Sequence, residues 1–103
     1  MAVLLAATST VKPDRYEDFV ELNRKAKAIV EKHGGKNFRL LAGLVAGEAT
    51  GNFVGTFEAD DFADYGVAQG KILADPEIRS LMSTGSASPT AGYQTTLWVD
   101  VPL

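Results

Sequence analysis

The spacing of apolar residues changes along this chain in a set order, and that order leaves few folds open. Val3 to Ser9 (VLLAATS) is an apolar run of strand length. Tyr16, Phe19, Val20, Ala26 and Val30 then return at steps of three and four, with Asn23 and Lys27 at the edge of the stripe. Glu17, Asp18, Glu21, Arg24, Lys25 and Glu31 fall mainly on the other side, as in an amphipathic helix. Its first turn is acidic and its last basic, as the helix dipole prefers. Lys12-Pro13-Asp14 predicts its start, with Pro13 at the first helical position, and Gly34-Gly35 predicts its end. Phe38 to Ala46 (FRLLAGLVA) and Phe53 to Ala59 (FVGTFEA) read as strands joined in a hairpin through Gly47-Glu48-Ala49-Thr50-Gly51. Asp60-Asp61 opens a second helix with Phe62, Tyr65, Gln69, Ile72 and Leu73 on one face, weakened by Gly66 and Gly70. Asp75-Pro76-Glu77 restarts a short helix, with Asp75 as N-cap and Ile78, Leu81 and Met82 directed inward. Ser83 to Gly92 (STGSASPTAG) is a loop, and Tyr93 to Val101 (YQTTLWVDV) is the last strand.

The order is therefore βαββαβ within a single domain spanning residues 1–103. Two interlocking βαβ halves give an α+β, ferredoxin-like fold: a four-stranded antiparallel sheet with two helices on one face. Two helices cover one face only, yet the strands carry apolar residues on both. Val3 and Leu5 oppose Leu4 and Ala6; Phe38, Leu40 and Leu44 oppose Leu41 and Val45; Phe53 and Phe57 oppose Val54. A sheet with one wet face alternates apolar with polar. Burial alone thus predicts a homodimer, sheet against sheet about a two-fold axis.

Composition removes whole classes of function. There is no cysteine, so no disulfide scaffold, thiolate metal site or Cys nucleophile, and one histidine, so no multi-His metal cluster. The net charge of −3 splits into a basic first half and an acidic second half. Most of the basic excess lies on the first helix and reads as a solvated face, so nucleic acid is not an expected partner. Ala2 to Ala7 lacks a preceding basic residue and is too short for a signal core, and no run is long enough to span a bilayer. The expected address is the cytoplasm, with no membrane partner. No phosphate loop, HExxH, nucleophile elbow or EF-hand spacing occurs, and no cofactor or metal is expected.

A few side chains remain as candidates for chemistry or for an apolar pocket between sheet and helices. His33, beside Gly34-Gly35, reads as a helix cap that meets the last carbonyls. Arg39 and Glu58 lie on neighbouring hairpin strands and form either a cross-strand ion pair or two groups reaching into the pocket, where Arg39 would hold an anionic oxygen. Tyr65 and Gln69 are one helical turn apart, and Trp98 lies on the opposite phase of the last strand from Leu97. These read as core with one satisfied hydrogen bond or as pocket lining. Thr8 and Thr56 add strand hydroxyls to the same list.

At this point the chain resembles the dimeric α+β barrel superfamily over nearly its whole length. Val11-Lys12-Pro13-Asp14-Arg15-Tyr16-Glu17-Asp18-Phe19 is similar to the first-helix start of antibiotic-biosynthesis-monooxygenase-like members. Gly55-Thr56-Phe57-Glu58-Ala59-Asp60-Asp61-Phe62 resembles their passage from third strand to second helix. Leu73-Ala74-Asp75-Pro76-Glu77-Ile78 resembles a segment of NIPSNAP-like members. The resemblance implies a dimer that binds a small organic molecule of aromatic type. As an enzyme it would carry out cofactor-free oxygenation, isomerisation or cyclisation, with Arg39 steadying an oxyanion and Tyr65 or Glu58 moving a proton. The alternative is a non-catalytic dimeric accessory or stress-related protein. Two departures stand out: the family often has a Trp at the end of the third strand and a His early in the second helix. Here those places hold Phe57-Glu58 and Phe62 or Tyr65. The only histidine, His33, lies elsewhere, which argues against the haem chemistry of some relatives.

Overall fold

A computed structural model describes residues 1–82 and 88–103. The elements are β1 (Val3–Val11), α1 (Tyr16–Lys32), β2 (Lys36–Ala42), a short 3-10 turn (Gly47–Ala49), β3 (Phe53–Ala59), α2 (Phe62–Ala74), α3 (Pro76–Leu81) and β4 (Thr90–Val99). The four strands form one antiparallel sheet in the order β2-β3-β1-β4, and the fold is α+β and ferredoxin-like. No described helix is long and apolar enough to cross a membrane.

Local chemistry explains most boundaries. Asp61 caps α2 by accepting from Asp64 N–H at 2.7 Å, and Asp75 caps α3 by accepting from Glu77 N–H at 2.9 Å. α1 stops in a Schellman arrangement. Gly34, at φ 101°, donates to Glu31 O, and Gly35 N–H reaches back to Val30 O at 2.9 Å. Its start differs from expectation. Pro13 lies in a turn rather than in the helix, because Asp14 takes a left-handed φ of 63° and Arg15 N–H closes back on Lys12 O. The helix then begins at Tyr16.

The second strand is shorter than its apolar run. Gly43 N–H bonds Asn52 O and Gly51 N–H bonds Gly43 O, so the hairpin has already turned. Leu44 and Val45 leave the ladder and stand 84% and 98% exposed. β1 runs two residues beyond the apolar segment, and β4 begins at Thr90 and ends at Val99. Residues 83–87 of the expected loop lie outside the described residues.

Pairing register sorts side chains between the two faces. Leu40, Gly55, Ala7 and Thr95 form one row across the sheet on the helix side. The opposite, open face carries the rows Arg39–Thr56–Ala6–Thr96 and Leu41–Val54–Thr8–Gln94, and the trio Glu58–Leu4–Trp98. The core joins Ile29 and Val30 of α1, Phe57 of β3, Ala68 and Ile72 of α2 and Ile78 of α3. Phe62 and Leu73, expected to face this core, are about half exposed. At about 100° per residue the buried stripe of α2 centres on Tyr65, Ala68 and Ile72, and Phe62 and Leu73 sit roughly a quarter-turn or more away from it.

Candidate functional site

Between sheet and helices lies a cavity of about 230 Å³. It exists because the sheet beneath it is built from small residues. Ala7 and Ser9 of β1 and Gly55 of β3 give a low floor, with Thr95 at its β4 side. Around that floor stand Leu5, Phe38 and Phe57 from the sheet and Phe19, Leu22, Asn23, Ala26 and Val30 from α1. Gln69 and Ile72 of α2 with Leu81 and Met82 at the end of α3 form the other wall, and Ser88, Thr90 and Tyr93 complete the rim. Every one of these lining residues is uncharged.

Two amides are the most polar groups here. Asn23 donates from Nδ2 to Phe19 O at 2.9 Å, one turn earlier in α1. Gln69 Oε1 is buried without a hydrogen-bond partner. A buried acceptor without a donor costs free energy, on the order of 1–3 kcal/mol, so such atoms are uncommon.

Of the residues singled out from sequence, Gln69 alone lines this cavity. Thr8, Arg39, Thr56, Glu58 and Trp98 are placed on the open face of the sheet, not in the space under the helices. The reason is phase. Strand side chains alternate, and the inward set of β1 is Val3, Leu5, Ala7 and Ser9, which sends Thr8 outward. In β2 an irregularity between Lys36 and Arg39, where Asn37 has φ 52°, sets Arg39 opposite Thr56. Among the described residues no ion pair links Arg39 to Glu58. Glu58 Oε2 instead accepts from Asn37 Nδ2 at 2.6 Å. Trp98 Nε1 donates to Thr96 Oγ1 at 2.8 Å, two residues earlier on the same strand. Tyr65 packs its ring against Phe57, centroids 6.2 Å apart, and burial pushes its phenol pKa up. A Tyr so placed stays protonated at neutral pH.

His33 caps the end of α1, but its ring does not serve the helix carbonyls. Its Nε2 donates to Asp75 Oδ2 at 2.8 Å, tying α1 to the junction of α2 and α3. That bond, then Glu77 N–H, holds the Asp75 carboxyl below its ordinary value. Beside it a second cleft is lined by His33, Lys36, Asp60, Asp64 and Lys71. Lys36 there is paired with Asp60 at 2.7 Å, which raises the lysine pKa. Among the described residues no group of three His, Cys, Asp or Glu is placed to hold a metal ion.

The small residues Ala7, Ser9 and Gly55 and the amide of Asn23 are the parts that reading the sequence missed. Their signal in the sequence is small side chains at the inward phase of two central strands, a phase that only the strand pairing fixes.

No protein-family model matches the sequence, and no curated protein is similar to it in sequence. Solved structures do share its fold. A NIPSNAP family protein from Agrobacterium tumefaciens strain C58 superposes with a TM-score of 0.74 at 10% identity, over 98% of this chain and 94% of that one. A structure described as an antibiotic biosynthesis monooxygenase gives 0.69 at 20% identity, over 97% and 99%. SnoaB, a cofactor-independent oxygenase from Streptomyces nogalater, studied as a point mutant, gives 0.70 at 16%, over 99% and 95%. The chain therefore has the α+β fold common to NIPSNAP and antibiotic-biosynthesis-monooxygenase structures.

Proposed function

We propose that this protein binds a small organic molecule of aromatic type in the cavity between sheet and helices. The observation that carries the reading is the cavity itself: about 230 Å³, walled by Phe19, Phe38 and Phe57 and lined by uncharged residues. It is larger than the ~150 Å³ that holds a benzene ring and smaller than the ~300 Å³ at which drug-sized sites begin. One or two rings fit that range. Structural neighbours described as a monooxygenase and as a cofactor-independent oxygenase make cofactor-free oxygenation the leading reaction, with isomerisation or cyclisation beside it. Among the described residues no charged or basic side chain lines the cavity. That favours a second reading within the same site, a non-catalytic binding or accessory protein. Isothermal titration with one- and two-ring compounds tests binding, and oxygen uptake with any ligand found separates the two readings. If no ring compound binds at millimolar concentration, the proposal fails.

We also propose that the open sheet face pairs with a second copy. The chain exposes 6631 Å² of surface, against roughly 5,600 Å² for a compact monomer of its mass. Its radius of gyration is 13.8 Å, against about 12.8 Å for its length. The excess surface is of the order that one partner contributes to a standard interface, about 800 Å². Trp98 and Leu41 lie exposed on that face beside Leu4 and Val54. Thr8, Arg39, Thr56 and Glu58 would then lie between two sheets rather than in the ligand cavity. Sedimentation analysis of the purified chain decides it, and a monomer at micromolar concentration overturns it.

A further inference from the structure

We propose that Asn23 sets the selectivity of the cavity, its Oδ1 receiving the hydroxyl or N–H donor of an uncharged ligand while carboxylates are excluded. The inference rests on the reading that this cavity is a ligand site. The direction of the Asn23 amide is set by its own hydrogen bond, since one N–H of Nδ2 is held by Phe19 O at 2.9 Å. The free end is therefore the oxygen, and among the described residues no hydrogen bond to it is found. That oxygen stands over the bare backbone of Gly55. A Cβ built on Gly55 would lie 3.5 Å from Asn23 Oδ1 and 3.9 Å from the tip of the Phe38 ring. The missing side chain thus leaves a slot roofed by an acceptor and flanked by an aromatic edge. A carbonyl oxygen accepts and does not donate. A ligand group entering the slot must bring the proton.

Gln69, on the opposite wall, adds no charge to the lining. Among the described residues no lysine, arginine or histidine lines the space, so an anion would lose its hydration and gain no counter-charge. The cavity thus selects by two rules, donors in and charges out. Arg39, the cation that could have balanced an anionic ligand, is on the far side of the sheet.

The test is calorimetric titration of the full chain with naphthol, naphthalene and naphthoate at neutral pH. One neutral hydrogen bond predicts naphthol binding about five- to tenfold tighter than naphthalene. Naphthoate should bind more weakly than naphthalene, by about tenfold or more. Asn23→Leu should erase the naphthol preference, bringing the naphthol-to-naphthalene affinity ratio to within about twofold of one. Gly55→Ala should do the same by filling the slot and leaving Asn23 in place. Its Cβ meets only ordinary van der Waals contacts, so it keeps the test valid if Asn23→Leu does not fold. Naphthoate binding as tightly as naphthalene, or a naphthol preference that survives in Gly55→Ala, overturns the assignment of Asn23 alone. Failure of all three compounds to bind overturns the ligand-site reading beneath it.

Discussion

Replacing Gly35 by alanine adds one methyl group at a point with no room for it. A Cβ there would overlap Val30 Cγ1 and lie 3.0 Å from Phe57 Cδ2 and 3.1 Å from Val30 O. Both neighbours are core residues that line the cavity, so neither can swing into solvent. Overpacking of this kind costs about 1–3 kcal/mol. The 2.9 Å bond from Gly35 N–H to Val30 O closes the end of α1, and weakening it adds about 1 kcal/mol. Against this, alanine stiffens the unfolded chain and returns roughly 0.4–1 kcal/mol. The net expectation is a loss of about 2 kcal/mol, which lowers a urea midpoint by roughly 1–2 M for a domain of this size. Gly66→Ala is the control. Nothing lies within 4 Å of its Cβ, and it sits inside α2, so it should stabilise by about 1 kcal/mol. Urea unfolding followed by circular dichroism at fixed protein concentration measures both. An unchanged midpoint for Gly35→Ala would refute the close packing of α1 against β3 at this position.

The pH dependence of stability should show two limbs. Asp75 has a folded pKa below its unfolded value, so its contribution is full above about pH 4 and is lost as pH falls through the folded value. Asp75→Asn should flatten the acid limb of a thermal-stability profile, and an unaltered limb would count against the His33–Asp75 tie. Tyr65 has a folded pKa raised by burial, so the unfolded chain loses its proton first and stability falls as pH rises beyond about 10. Tyr65→Phe should remove that part of the alkaline limb, as a thermal melt at high pH would show. On the open face, Trp98→Glu puts a charge beside Leu4 and should raise the dissociation constant of the proposed dimer by at least about tenfold. Sedimentation velocity reads the change, and a dimer of undiminished affinity would place the interface elsewhere.

The order of strands and helices was legible because its causes are local. Apolar spacing marks α1, Asp61 and Asp75 satisfy the first N–H groups of the helices they precede, and Gly34-Gly35 can adopt the turn that stops α1. Each of those depends on residues within a few positions of one another. The faces were harder. Thr8, Thr56 and Trp98 have the chemistry of pocket groups, but the tertiary pairing decides which phase of a strand meets the helices. A single irregularity at Asn37 sets where Arg39 falls. The hairpin closing at Gly43 was decided by bonds to Asn52 and Gly51, and it took Leu44 and Val45 off the sheet. His33 and Asp75 are 42 positions apart and meet only when α1 packs beside the α2–α3 junction. The cavity is the last such case. Glycine and alanine in central strands carry no signal as letters, and become the floor of a cavity only when helices bridge over them.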